Sequence, residues 1–140
     1  MLDGRAIMSF NWCFIGCGRL ADTVAAQMKK HGGHKILSCY TRDFGKCREF
    51  AERYGATPFD NASDAISAEG VDGVYVVTPH NAHHRFTKQA LLLGKPVLCE
   101  KAFTVTSEET EELIALAKEK NLYLAEAMWT WFSPAANKVK

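Results

Sequence analysis

The feature that most constrains this chain is a change of rhythm at residues 10–25, FNWCFIGCGRLADTVA. A short apolar run, Phe10 to Ile15, stops at Gly16-Cys17-Gly18, and a pattern with helical spacing begins at Leu20. Two glycines one residue apart, between a buried strand and a helix, serve either a tight turn or the close approach of a ligand to the backbone. The next apolar small residue, Ala21, completes Gly-x-Gly-x-x-Ala. In a strand–turn–helix context this is a dinucleotide fingerprint. Gly16 permits the turn, Gly18 leaves room for a pyrophosphate, and Ala21 lets the helix pack close to the strand. The free amides and the dipole of the helix start favour phosphate charge.

The same rhythm repeats along the chain. Strands are expected at Phe10–Ile15, Lys35–Thr41, Ala56–Phe59, Val71–Pro79, the segment PVLCE at 96–100, and LYLAEA at 122–127. Helices are expected at Leu20–His31, Phe44–Tyr54, His83–Leu93 and Thr106–Lys120, with a short helical turn over Asn61–Ala68. Thr106-Ser107-Glu108-Glu109 reads as a capping box. Strand and helix alternating six times predict an α/β fold: a doubly wound, six-stranded parallel sheet with helices on both faces. Ligands in such sheets sit at the carboxyl ends of the strands, near the switch in strand order.

Composition narrows the function. The 140 residues suit one domain with a sizeable core. A net charge of +1 gives no electrostatic case for nucleic acid or an anionic membrane, and no apolar run is long enough to span a bilayer. Residues 1–9 read as a short leader without the apolar core of a signal peptide. Five scattered cysteines without a CxxC pair read as reduced thiols of a cytoplasmic protein. His80, His83 and His84 lack a carboxylate or cysteine partner in the nearby sequence, so no metal is expected.

The tip of the second strand speaks to cofactor choice. NAD-binding folds place a carboxylate there for the ribose hydroxyls. This chain has Thr41 and Arg42, with Asp43 just beyond. An arginine can pair with a 2′-phosphate and a threonine hydroxyl can bond it, which favours NADP; Asp43 keeps NAD open.

Five segments together, GCGRLA, TRD…CREFAERYG, VDGVYVVTPHNAHH, GKPVLCEKA and YLAEAMWTWFSPA, carry a resemblance. From about Phe10 onward the chain resembles the glucose-fructose oxidoreductase and inositol dehydrogenase family of NAD(P)-dependent oxidoreductases. Within it, the branch of dimeric dihydrodiol dehydrogenases and NADP-dependent D-xylose dehydrogenases is nearest. The resemblance implies a Rossmann domain over residues 10–128 that transfers hydride between NADP and a sugar or trans-dihydrodiol alcohol. It implies that Gly16, Cys17, Gly18, Arg19 and Leu20 hold the pyrophosphate, and Thr41 and Arg42 the 2′-phosphate. Thr78, Pro79, His80 and His83 would line the loop beside the nicotinamide ribose. Glu100 and Lys101 match a Glu-Lys-Pro motif whose lysine assists proton transfer, and Trp129 joins the cofactor-binding set from the segment leading towards the substrate. Residues 129–140 would begin the crossing to a substrate and dimerisation domain, so a full-length form is expected to be a homo-oligomer, and this chain alone to bind cofactor without completing the reaction.

Two positions depart from the family pattern: Ala102 replaces the proline after Lys101, and Trp131 stands where the branch has arginine. Two rival readings follow from the same domain. One is a non-enzymatic dinucleotide-sensing module. The other is a glycosidase-like relative with tightly held NAD, which calls for an acidic residue in place of Thr41. Lys101 and Arg42 favour the dehydrogenase.

Overall fold

The computed structural model describes residues 8–139, apart from the side chains of residues 131, 132 and 139. The leader expected over residues 1–9 lies almost wholly outside the described residues, and so does the side chain of Trp131.

Six strands form one parallel sheet. They are β1 (Phe10–Ile15), β2 (His34–Tyr40), β3 (Thr57–Phe59), β4 (Gly73–Val76), β5 (Val97–Cys99) and β6 (Leu124–Glu126). The helices between them are α1 (Arg19–His31), α2 (Phe44–Tyr54), α3 (Ala62–Ser67), α4 (His83–Leu92) and α5 (Ser107–Glu119), with α6 (Pro134–Val139) last. Single 3₁₀ turns cover His80–Ala82 and Trp129–Phe132. The strand order is β3-β2-β1-β4-β5-β6, so the order reverses between β1 and β4. The doubly wound expectation holds. The strands are shorter than their apolar runs, because β4, β5 and β6 end where the chain leaves the ladder towards the cleft.

The side-chain alternation of β1 and β4 explains their unbroken apolar character. Cys13, Ile15, Val74 and Val76 enter one core with residues of α3, α4 and α5, among them Ile66, Leu91 and Leu113. Phe14 and Tyr75 point the other way, into a second core with Ala21, Ala25, Phe50 and Ala51 of α1 and α2. A central strand covered on both faces has no polar side to show. Phe14 is the pivot of the second core, its ring 4.9 Å from that of Tyr75 in an edge-on contact and 5.6 Å from that of Phe50. Truncating such a ring costs about 3–5 kcal/mol.

Local chemistry sets the helix starts. Asp43 caps α2, its Oδ1 accepting from the Lys46 amide at 3.2 Å. Asn61 caps α3 in the same way. At α5 the Thr106 hydroxyl accepts from the Glu109 amide, and the Glu109 carboxylate accepts from the Val105 amide, one residue before the cap. Across the outer face, the Tyr54 hydroxyl donates to Asp22 Oδ1 at 2.7 Å and Arg53 pairs with the same oxygen, fastening α2 to α1.

Candidate functional site

The carboxyl ends of β1, β2 and β4 open onto a cleft of about 580 Å³. Its floor is the turn after β1. Gly16 has φ +108°, and a Cβ there would lie 2.6 Å from the Val77 carbonyl oxygen, so the turn admits only glycine. A Cβ on Gly18 would meet no protein atom within 4 Å. That empty space has no packing purpose within the chain and fits a ligand approaching the backbone. Ala21 is fully buried against the sheet. The first bond of α1 runs from the Asp22 amide to the Gly18 carbonyl, so the amides of Arg19, Leu20 and Ala21 have no partner in the helix. Gly18 caps the helix without a side chain. Free donors, an open approach and a 13-residue helix dipole together fit an anion.

The wall formed by the tip of β2 carries the charge. Thr41, Arg42 and Asp43 line the cleft, with Lys46 from the first turn of α2 and Arg85 from α4 opposite. Arg42, Lys46 and Arg85 are exposed, and the Arg85 guanidinium lies 4.3 Å from the centre of the Phe86 ring. Lys46 and Arg85 are absent from the residues that sequence reasoning singled out. Lys46 follows Arg42 by four residues inside a helix pattern, whereas Arg85 lies in a later helix and only the fold brings it to the same cleft. Asp43 holds the α2 cap with Oδ1.

The opposite wall is a knot of side-chain bonds to backbone. Thr78 and Pro79 line the cleft. His80 Nε2 lies 3.1 Å from the Lys101 carbonyl oxygen. His83 differs from the expectation that it lines the ribose loop: it is fully buried, with Nδ1 2.9 Å from the Ala102 carbonyl and Nε2 2.9 Å from the Thr78 carbonyl. It staples the Thr78 loop to the Lys101–Ala102 segment. Glu100 has a similar part, since Oε1 accepts from the Tyr75 hydroxyl at 2.6 Å and Oε2 from the Lys101 amide at 3.3 Å. Burial, then the Glu100 carboxylate, pushes the Tyr75 hydroxyl pKa well above its ordinary value. Lys101 itself is exposed at the carboxyl end of β5, beyond Glu100. Trp129, 71% exposed, stands in the turn after β6.

The histidine run resolves into separate roles. His84 meets a carboxylate that its local sequence does not announce, with Nε2 2.6 Å from Glu112 Oε2 on α5, while Lys88 bonds the other oxygen. Lys88, then His84, holds the Glu112 carboxyl below its usual value. The cysteines do not stay scattered: the sulfurs of Cys17, Cys39 and Cys47 all lie within 4.8 Å of one another. Among the described residues no helix is long and apolar enough to cross a membrane.

Comparison with known proteins agrees with this geometry. Residues 10–128 match the model of the GFO_IDH_MocA oxidoreductase family, NAD-binding Rossmann fold. The chain belongs to that family. It is 32% identical to the NADP-dependent D-xylose 1-dehydrogenase of Hypocrea jecorina, covering 94% of this chain and 37% of that protein. It is 28% identical to the human trans-1,2-dihydrobenzene-1,2-diol dehydrogenase, covering 95% of this chain and 41% of the relative. The crystal structure of a 3-ketoreductase from Actinomadura kijaniata in complex with NADP superposes with a TM-score of 0.87 at 27% identity, over 94% of this chain and 42% of that one. The chain therefore spans about 40% of the length of these relatives.

Proposed function

We propose that the cleft binds NADP and that the chain is the cofactor-binding part of a dehydrogenase acting on a sugar or trans-dihydrodiol alcohol. The observation that carries this is the charge at the tip of β2. Arg42, Lys46 and Arg85 converge where a 2′-phosphate needs cations, and the one nearby carboxylate, Asp43, is committed to capping α2. The NADP named for the D-xylose dehydrogenase and for the 3-ketoreductase complex supports the same choice.

The division of labour follows from the residues. When bound, the dinucleotide supplies or accepts hydride, which the side chains cannot do. The amides of Arg19, Leu20 and Ala21 face the pyrophosphate, Gly16 makes the turn, and Gly18 leaves the space. Thr41 and Arg42 hold the 2′-phosphate, with Lys46 and Arg85 adding positive charge. Glu100, His80 and His83 fix the backbone from which Lys101 projects. Lys101 Nζ gives or takes the proton that accompanies oxidation or reduction of the alcohol carbon. Residues 129–140, with Trp129 at their head, lead from this domain towards the substrate-bearing part present in the longer relatives, through which self-association is also expected. The chain spans about 40% of the length of these relatives, and the purified 140 residues are expected to bind NADP without turning over D-xylose.

Titrating the purified chain with NADP and NAD tests the reading. Arg–phosphate bonds are worth about 1.5–3 kcal/mol, so NADP is expected to bind roughly 10- to 150-fold tighter. Equal affinities would overturn the assignment of the β2 tip.

A further inference from the structure

Three cysteines meet behind the phosphate turn, each from a different element. Cys17 lies between the two glycines of the turn, Cys39 on β2 and Cys47 in the first turn of α2. Cys39 and Cys47 are fully buried, while Cys17 is half-buried and packs against the same core, so its thiol faces inward. The Cys39 and Cys47 sulfurs are 3.7 Å apart, and all three sulfurs lie within 4.8 Å of one another. An atom bonded to three sulfurs at about 2.3 Å, the length of a zinc–thiolate bond, needs them roughly 3.4–4.0 Å apart. From the upper bound of their separation the sulfurs need to close by roughly 0.8–1.4 Å. The partly exposed Cys17 gives a path in from solvent.

The surroundings select the guest. Among the described residues, no carboxylate or imidazole joins the three sulfurs in the cluster. The groups acting on the Cys39 thiol are Cys17, burial and Cys47, none of them cationic. Burial, then Cys39, pushes the Cys47 thiol up to about 11. A divalent ion with three thiolates leaves a buried charge of −1, and a monovalent one leaves −2; burying an uncompensated charge is strongly unfavourable. A trivalent centre with three thiolates is neutral.

We propose that Cys17, Cys39 and Cys47 form a three-thiol site for trivalent arsenic. The reaction with arsenous acid balances without oxidant or reductant. Three As–O bonds break, three As–S bonds form, the three thiol protons leave with the hydroxyls as three waters, and arsenic stays trivalent. Reactants and products are all neutral, so no uncompensated charge is buried. Since Cys17 belongs to the phosphate turn, the bound arsenic also ties that turn to β2 and α2. The loaded chain is expected to bind NADP at least about fivefold more weakly, at the low end of ordinary coupling between sites. That consequence rests on the dinucleotide reading, whereas arsenic binding itself does not.

Calorimetric titration of the reduced chain with arsenite, without dinucleotide, tests the site. One equivalent is expected to bind, with arsenic X-ray absorption showing three sulfurs and no oxygen in its shell. Cys17→Ser is expected to weaken binding by about 100-fold or more through loss of the third chelating arm, with the melting profile retained. The double variant Cys13→Ala/Cys99→Ala is expected to bind like the parent, which shows that the triad is responsible. An oxygen retained on arsenic, unchanged binding in Cys17→Ser, or displacement of arsenic by equimolar cadmium would each overturn the proposal.

Discussion

The two walls of the cleft are built on opposite plans. The phosphate wall, from Gly16 to Ala21 and the tip of β2, offers backbone donors and flexible exposed cations, with little bonding among its own side chains. The far wall carries Thr78 and Pro79, and behind it His80, His83 and the Glu100–Ala102 segment are bound to one another: two histidines on three carbonyls, and a tyrosine and an amide on one carboxylate. The first plan suits recognition of charge, where position tolerates some play and shape must not obstruct. The second suits a group that must stand still while a proton moves, because a reacting side chain loses rate when its support is loose. Substitutions on the two walls should therefore fail in different ways.

The largest effect is expected at the far wall. In a form that carries the relatives' full length and turns over substrate, Lys101→Ala should lower turnover by about 10²–10⁴-fold, the contribution of a positioned acid or base. NADP affinity should change far less. Steady-state rates beside fluorescence titration would check this, and near-normal turnover would break the contrast between the walls.

On the phosphate wall the two glycines should separate stability from binding. Gly16→Ala forces a Cβ into the Val77 carbonyl and a side chain into a positive-φ position, and should destabilise the fold by about 1–3 kcal/mol in urea unfolding. Gly18→Ala meets only open space and sits at φ −88°, so stability should fall by no more than about 1 kcal/mol, the cost of alanine at a helix N-cap. Its cost should appear as weakened dinucleotide binding. If Gly18→Ala binds NADP like the parent, the open space above the turn is not where the pyrophosphate lies.

A smaller effect sharpens the reading of the β2 tip. Arg42→Ala should reduce the preference for NADP over NAD by about tenfold or more, and the preference should fall with added salt because the group is exposed. Lys46→Ala should act in the same direction and less strongly. A preference that survives both substitutions would move the 2′-phosphate away from α2.

A separate effect is on alkaline stability, where neither wall dominates. Burial raises Cys13 to about 12 and Cys47 to about 11. Unfolded thiols ionise near 8.5. The unfolded chain therefore loses these protons first. The stability contributed by keeping them protonated is full below about pH 8.5 and declines as pH rises towards 11–12. Urea midpoints measured across that range should fall, and Cys47→Ala should flatten the decline.

The sheet was legible because its signals are local. An apolar run covered on both faces, a glycine-bounded helix and a capping residue each declare themselves within a dozen residues, as with Phe10–Ile15 and Thr106–Glu109. The phosphate turn was legible for the same reason, since Gly16 and Gly18 are read beside the strand they follow. What stayed hidden depends on side chains meeting across the fold. Arg85 shares the cleft with Arg42 and Lys46 only when β2 and β4 flank β1. His83 looked like a ligand-facing histidine because residue type does not tell which way a ring points at a helix start. The cysteines looked scattered because positions 17, 39 and 47 share no sequence spacing, only an end of the sheet.

The floor of the cleft has one more consequence. The Gly16 amide donates to the Tyr40 carbonyl at 2.8 Å, and the Val77 amide to the Ile15 carbonyl at 2.8 Å. Three strands are thus laced together just where they stop being a sheet. Hydrogens on such amides exchange with solvent only when the lacing opens, which here means separating the central strands. In deuterated water these loop amides should persist as long as those deep in β1, although neither lies within a regular strand. The cleft would then be among the last parts of the molecule to come undone.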